Sequence, residues 1–269
     1  MTRLVSVVTG GAGGMGRECA ARFVAAGDLV VLVDVDGATT QAAAAALGPD
    51  VVPLAADITD PSTGPAIATA VADLGELRAI AHTAGLSPTM ADAARILDVN
   101  LVGTVRLLDA LDPLVVDGTV AVPIASQAGH LLGGSDPAIA ALLAEPLADS
   151  FLAAAVAAGV DSPEAAYGWS KWAVQREVVR RAPSWGARGA RIVSLSPGMI
   201  DTAMGKQEFA AQPLMATMVD MTPLGRLGTA DEIAAVVDFL CSPAASFITG
   251  TDLLVDGGST AQVLDQLFG

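Results

Sequence analysis

The 269-residue chain predicts one α/β domain, residues 1–269, built on a doubly wound parallel sheet of seven strands with helices on both faces. Three observations predict it. Short apolar runs alternate with alanine-rich, helix-like segments along the whole chain, the order that βαβ crossovers require. Most of the apolar runs are continuous rather than alternating, as in strands buried on both faces. A glycine-rich turn follows the first run directly and opens a helix-like segment, the context in which glycines form a nucleotide-binding turn.

The elements follow in order. "RLVSVVT" (3–9) is the first strand and the helix near 14–26 leaves the glycine turn. "LVVLVD" (29–34), a helix near 37–47, "VVPLA" (51–55) and a helix near 61–73 complete the first half. "RAIAHT" (78–83), a helix near 91–110, "GTVAVPIAS" (118–126), a helix near 166–182, "ARIVSLS" (190–196), a helix near 229–241 and "TDLLVD" (251–256) complete the second. Two stretches break the alternation. Residues 128–164 form an insert whose "AIAALLAEPLADSFLAAAVAAG" predicts a helix near 138–159, and residues 203–225 lack a clean period and carry Met204, Met215, Met218 and Met221. Excursions of this length in a compact domain tend to be lids, binding loops or interfaces.

Composition excludes several classes. Hydrophobic residues make up 52% of the chain, ample for a large core. No apolar run reaches the ~18 residues of a transmembrane helix, and "MTRLVSVVTGG" lacks the pattern of a signal peptide. A net charge of −15 argues against nucleic acid, which demands clustered Lys and Arg. Cys19 and Cys241 match no zinc or redox spacing and read as small core hydrophobes of a reduced, cytoplasmic protein. No His, Cys or carboxylate set has metal-ligand spacing.

The chemistry concentrates at three places. In "TGGAGGMG", Gly10, Gly14 and Gly16 let the backbone turn tightly and approach a pyrophosphate, while the helix N-terminus offers free N–H groups. Asp34 ends the second strand about twenty residues beyond the turn, where a carboxylate accepts from both hydroxyls of an adenosine ribose and repels a 2′-phosphate. This favours NAD over NADP, with Asp36 as the alternative ribose ligand if Asp34 only caps a turn. Tyr167 is the one tyrosine of the chain and stands four residues before Lys171, one of two lysines. On a helix the two share a face, and a nearby ammonium favours a phenolate able to move protons.

"TGGAGGMG", "HTAG" (82–85), "VNLVG" (99–103), "IAS" (124–126), "AYGWSK", "SPGMIDT" and "VDGG" (255–258) occur in the order found in short-chain dehydrogenases/reductases. The chain resembles the single-domain branch of that Rossmann-fold family over residues 3–260. Only 98 residues follow Lys171, too few for the extra substrate domain of the extended branch. The resemblance implies that Tyr167 exchanges a proton with the substrate oxygen and that Ser126 polarises it. Lys171 would tune Tyr167 and hold the nicotinamide ribose, and Asn100 would anchor a water leading from Lys171 to solvent. It assigns Gly10, Gly14, Met15, Gly16, Asp34, Asp57, Ile58, Ala84, Gly85, Tyr167, Lys171, Pro197, Gly198, Ile200 and Thr202 to the cofactor. Asp57 and Ile58 would meet adenine, and Thr202 the nicotinamide carboxamide.

Ser126 lies 41 residues before Tyr167, further than in typical members, and the insert 128–164 accounts for the excess. Bacterial 3α-hydroxysteroid dehydrogenase/carbonyl reductases carry an insert in the same interval, and the chain looks similar to them. His82 should pack at the end of its strand, and His130 should be structural or pocket-lining. The segment 203–225 would be a substrate lid whose methionines suit a bulky apolar substrate, steroid- or terpenoid-like, although they would suit a packed core equally. The expected function is an NAD-dependent secondary-alcohol dehydrogenase/ketone reductase, assembled as a homo-oligomer, a dimer or tetramer. A catalytically silent NAD-binding regulator or scaffold is the alternative, disfavoured by the presence of Asn100, Ser126, Tyr167 and Lys171 together. An enoyl-thioester reductase would space Tyr and Lys differently.

Overall fold

The computed structural model describes residues 3–132, 136–211 and 219–268. Strands β1 (Leu4–Thr9), β2 (Leu29–Asp34), β3 (Val51–Ala55), β4 (Glu76–His82), β5 (Val120–Pro123) and β6 (Arg191–Ile192) form a parallel sheet in the order β3-β2-β1-β4-β5-β6. The chain reverses its direction of strand addition between β1 and β4, the switch point at which such sheets open a ligand crevice.

The strand expected over 190–196 is divided, because β7 (Ser194–Pro197) is separated from β6 at Val193. The cause lies in β5. Val193 N–H donates to the Ala121 carbonyl and Ala125 N–H to the Leu195 carbonyl, so Pro123 is the intervening residue facing this neighbour. Proline has no N–H to supply the next rung. A single bridge, Ile124 to Leu195, carries the sheet across the gap. The last expected strand, β10 (Asp252–Val255), pairs with β7 rather than joining the six-stranded ladder. A short pair also forms between β8 (Ile200–Asp201) and β9 (Gly228–Thr229).

Helices cover both faces, as the patterning predicts. On one side α1 (Gly14–Ala25) and α11 (Ala230–Leu240) close over Val8, Leu32, Val122 and Leu195, with Phe23 and Leu240 fully buried among them. On the other, α3 (Thr63–Leu74), α5 (Thr104–Leu111) and α9 (Pro163–Gly186) close over Val7, Val31, Ile80 and Ala121, with Trp185 at full burial. The remaining helices are α2 (Gly37–Leu47), α4 (Ala93–Leu97), α6 (Gln127–Leu132), α10 (Ala203–Ala211) and α12 (Ser259–Phe268). The turn joining α4 to α5, Asp98–Gly103, is π-helical.

The insert is not one helix. It folds as α7 (Pro137–Leu143) and α8 (Phe151–Ala157), with Pro146 between them, where no helix can continue without losing a backbone bond. Asp136 caps α7 by accepting from the N–H groups of Ala138 and Ile139. Ile139, Leu143, Phe151 and Ala155 bury themselves against Ile96, Leu97 and Leu101 on one side and Trp169 and Ala173 of α9 on the other. Full burial of a large apolar side chain is worth about 1.5–3 kcal/mol, so the insert is bonded into the domain. Met204 and Met221 are partly buried, whereas Met215 and Met218 lie outside the described residues. Cys19 and Cys241 are buried and free, and burial pushes both thiols up to about 12, in keeping with their reading as core hydrophobes. Among the described residues no helix is long and apolar enough to cross a membrane.

Candidate active site

The turn after β1 is shaped by what cannot fit there. Gly10 has φ +66°, a left-handed conformation that glycine adopts without strain, and a Cβ there would lie 2.7 Å from the Ala84 nitrogen. A Cβ on Gly16 would stand 2.3 Å from the Gly10 carbonyl oxygen, so the turn and the start of α1 touch through bare backbone. Asp34 holds the turn from β2, accepting from Ala12 N–H at 3.0 Å and from Val35 N–H at 2.8 Å. Asp36, the other candidate, lines neither cavity of the site and is the N-cap of α2, taking the N–H groups of Ala38 and Thr39 at 2.9 Å each. The Thr39 N–H, with help from the Ala38 N–H and the Thr39 hydroxyl, holds the Asp36 carboxyl below its ordinary value against the effect of burial.

A cavity of about 400 Å³ opens here. Gly10, Gly14, Met15 and Gly16 form one wall, Asp34, Asp57 and Ile58 a second, and Ala84, Gly85 and Thr202 a third. All ten are residues assigned to the cofactor from sequence. Arg95 completes the Asp57 end, a residue the sequence reading missed. It donates to Asp57 at 2.7 Å, Thr59 Oγ1 at 2.9 Å and Asp98 at 3.0 Å. Burial raises the Asp57 carboxyl, but the Thr59 N–H and the Arg95 guanidinium outweigh it and keep the group below its ordinary value. The bare glycine cradle, the carboxylate at the end of β2 and the helix start facing the cavity fit a dinucleotide.

A second cavity, about 720 Å³, adjoins the first and shares Met15, Gly85 and Thr202 with it. Ser126, Tyr167 and Lys171 all line it, with Pro197, Gly198 and Ile200 on the strand side. Leu86, Pro88, Leu131, Met199, Met204 and Leu227 make the rest largely apolar. Glu164, Asp201 and Lys206 stand among its lining residues as well.

Helix α9 brings the phenol and ammonium together as their spacing predicts. Ser162 caps it by accepting from Ala165 N–H, and Pro163 occupies the first turn, where its missing N–H costs nothing. Lys171 is only 6% exposed, and burial pushes its ammonium down to about 8. Its Nζ donates to the Ile124 carbonyl at 2.9 Å and lies 5.8 Å from the centre of the Tyr167 ring. Ser126 is buried at the end of the β5 run, its Oγ accepting from Ala128 N–H at 3.2 Å.

Asn100 lines neither cavity. It sits behind Gly85, fully enclosed, its Oδ1 accepting from Leu86 N–H at 2.7 Å and its Nδ2 donating to the Leu86 carbonyl at 2.9 Å. A Cβ added to Gly85 would meet Asn100 Oδ1 at 3.2 Å and Lys171 Nζ at 3.4 Å, so the two groups converge on that glycine. The π-helical turn sets Asn100 there, a type of backbone irregularity common at functional sites.

His82 packs at the end of β4, as expected, and its bonding fixes its tautomer. Thr104 Oγ1 donates to the Asn100 carbonyl at 2.7 Å, so it accepts from His82 Nε2–H, also at 2.7 Å. His82 Nδ1 therefore accepts from Thr9 Oγ1 at 2.6 Å. Burial, aided by Lys171, pushes the imidazole down to about 3 and keeps it neutral. His130 lines neither cavity. Its Nε2 meets Asp252 at 2.8 Å, which ties α6 to β10 and makes its role structural. Among the described residues no group of His, Cys, Asp and Glu could hold a metal ion.

The chain is similar to known proteins over nearly its whole length. The family model described as short chain dehydrogenase matches residues 4–138, and that described as Enoyl-(Acyl carrier protein) reductase matches residues 146–260. Galactitol 2-dehydrogenase (L-tagatose-forming) of Cereibacter sphaeroides is 34% identical over 260 residues, covering 95% of this chain and 94% of that protein. The 3-alpha-hydroxysteroid dehydrogenase/carbonyl reductase of Comamonas testosteroni is 31% identical over 268 residues, covering 96% of each. Among solved structures, a short-chain dehydrogenase/reductase described as glucose/ribitol dehydrogenase from Brucella melitensis superposes with a TM-score of 0.77 at 28% identity, covering 96% of each chain.

Proposed function

Because the chain belongs to the short-chain dehydrogenase/reductase family, we propose that it is an NAD(H)-dependent oxidoreductase that interconverts a secondary alcohol and a ketone on a bulky, largely apolar skeleton. One observation carries the reading. Ser126, Tyr167 and Lys171 line the same apolar cavity, and that cavity shares a wall with the glycine-bound crevice.

The nicotinamide would supply the hydride exchanged with the carbinol carbon; every other task falls to this chain. Tyr167 takes the proton from the substrate hydroxyl during oxidation and returns it during reduction. Ser126 donates to the same oxygen and orients it. The Lys171 ammonium, held by the Ile124 carbonyl, favours negative charge on the phenol as its proton leaves. Asn100 fixes the Leu86 backbone and converges with Lys171 on Gly85. Gly10, Gly14 and Gly16 would take the pyrophosphate, Asp34 the adenosine ribose and Asp57 the adenine. With a carboxylate at the ribose end and no basic residue directly after it, NAD is favoured over NADP.

The Tyr167–Lys171 spacing argues for alcohol chemistry rather than enoyl reduction, although one matched family model carries the latter description. Helices α7 and α8 cover the faces of α4 and α9, which supports a dimer over a tetramer. Assays with NAD and NADP against steroid, terpene, polyol and simple secondary alcohols test the reading. NAD-linked turnover of secondary alcohols is the expected result. Absence of both turnover and NADH binding would overturn it.

A further inference from the structure

The apolar cavity has one charge without an answer. Glu164 lines it and lies one turn before Tyr167 on α9, at i and i+3 on the same face, about 5 Å along the axis. Its carboxylate is exposed and has no hydrogen bond or ion pair among the described residues. The other charges at this cavity do have partners. Lys206 pairs with Asp201 at 3.1 Å, and Lys171 is bonded inward to Ile124. Residues 133–135 and 212–218, Gly-Gly-Ser and Gln-Pro-Leu-Met-Ala-Thr-Met, contain no lysine or arginine that could neutralise Glu164. An acidic residue in the first turn also suits the helix dipole. That interaction does not occupy the side chain's acceptor oxygens.

We propose that Glu164 is a specificity-determining residue that hydrogen-bonds a second donor on the substrate, a hydroxyl or an ammonium about one helical turn from the reacting carbinol. The inference rests on the function proposed above and narrows its substrate class from a plain apolar alcohol to a diol or amino alcohol on an apolar frame. A carboxylate accepts from either donor and offers nothing to a methyl group, so discrimination arises at the distal end of the substrate while Tyr167 and Ser126 act at the other. A bond from a charged acceptor discriminates strongly when desolvated, and this position is open to solvent, so the expected preference is about tenfold.

The test is a shape-matched series oxidised with NAD: 4-methylcyclohexanol, 1,4-cyclohexanediol and 4-aminocyclohexanol. In the parent enzyme, kcat/KM should favour the diol and the amino alcohol over the methyl compound by about tenfold. In Glu164→Ala both ratios should fall to within about twofold of unity. In Glu164→Gln, which keeps an acceptor and loses the charge, the diol ratio should largely survive while the amino-alcohol ratio collapses. NADH titration checks that each variant is folded. A parent that shows no preference, a parent that oxidises none of the three, or an alanine variant with parental ratios overturns the role of Glu164. Failure to bind NADH and to oxidise any secondary alcohol instead overturns the underlying reading.

Discussion

Lys171 Nζ donates to the carbonyl of Ile124 at 2.9 Å, two residues before Ser126, so one bond joins the helix that carries the phenol to the strand end that carries the serine. This bond holds a buried charge. Burial opposes the ammonium and pushes it down to about 8 from 10.5, a penalty that folding sustains below that pH. Between pH 8 and 10.5 the unfolded chain retains a proton that the folded chain has released, so stability rises with pH across that window. Lys171→Met should abolish turnover, raise stability at neutral pH by about 1–3 kcal/mol, and lose the added slope. Urea melts of both proteins from pH 7 to 10 check it, and equal slopes would refute it.

Tyr167→Phe removes the proton-exchanging hydroxyl and leaves the ring in place. Turnover should drop by about 10²–10⁴-fold, the range typical for a lost acid–base group. NADH affinity, read by fluorescence titration, should stay within about twofold, since uniform binding is untouched. Parental activity would remove Tyr167 from the reaction.

Asp34 has two tasks that one substitution separates. Asp34→Asn retains an acceptor for the Ala12 N–H, so the glycine turn should hold and the melting temperature should change little. It loses the charge that repels a 2′-phosphate, so the NAD to NADP ratio of kcat/KM should fall at least about tenfold. An unchanged ratio would move ribose discrimination to another residue.

Protonating His82 at Nδ1 would remove the acceptor of the Thr9 hydroxyl proton, the first link of the chain that runs through Thr104 to the Asn100 carbonyl. Its folded value of about 3 lies below the ordinary 6.5, so the unfolded chain binds the extra proton first as pH falls. Stability is complete above pH 6.5 and is lost progressively toward pH 3. His82→Phe should remove this contribution to the acid slope and cost about 1–3 kcal/mol by orphaning the buried Thr9 hydroxyl, since Thr104 keeps its bond to the Asn100 carbonyl. Acid denaturation of the two proteins provides the comparison.

The parts of the site that depend on local periodicity were legible in the sequence. Tyr167 and Lys171 share a face because they are four apart on a helix, and Gly10 and Gly16 meet because neither has room for a side chain. What depends on non-local packing was not legible. Arg95 reaches Asp57 only after α4 is laid beside the β3 end of the sheet, and no spacing in the chain encodes that approach. The break at Val193 was readable in principle, since Pro123 stands within the β5 run, but its effect falls on a neighbour 70 residues away. The continuous helix expected across 138–159 failed because an alanine-rich period obscured Pro146.

The scarcity of lysine turns the molecule into its own reporter. Acylating reagents have two side-chain amines to modify: Lys206, 72% exposed at the cavity mouth, and Lys171, closed off behind it. Of these two, brief labelling should mark Lys206 alone, and occupancy of the chamber should slow that mark. Adduct on Lys171, 6% exposed within the chamber, would then record entry of the reagent to the depth of Tyr167 in a mass spectrum.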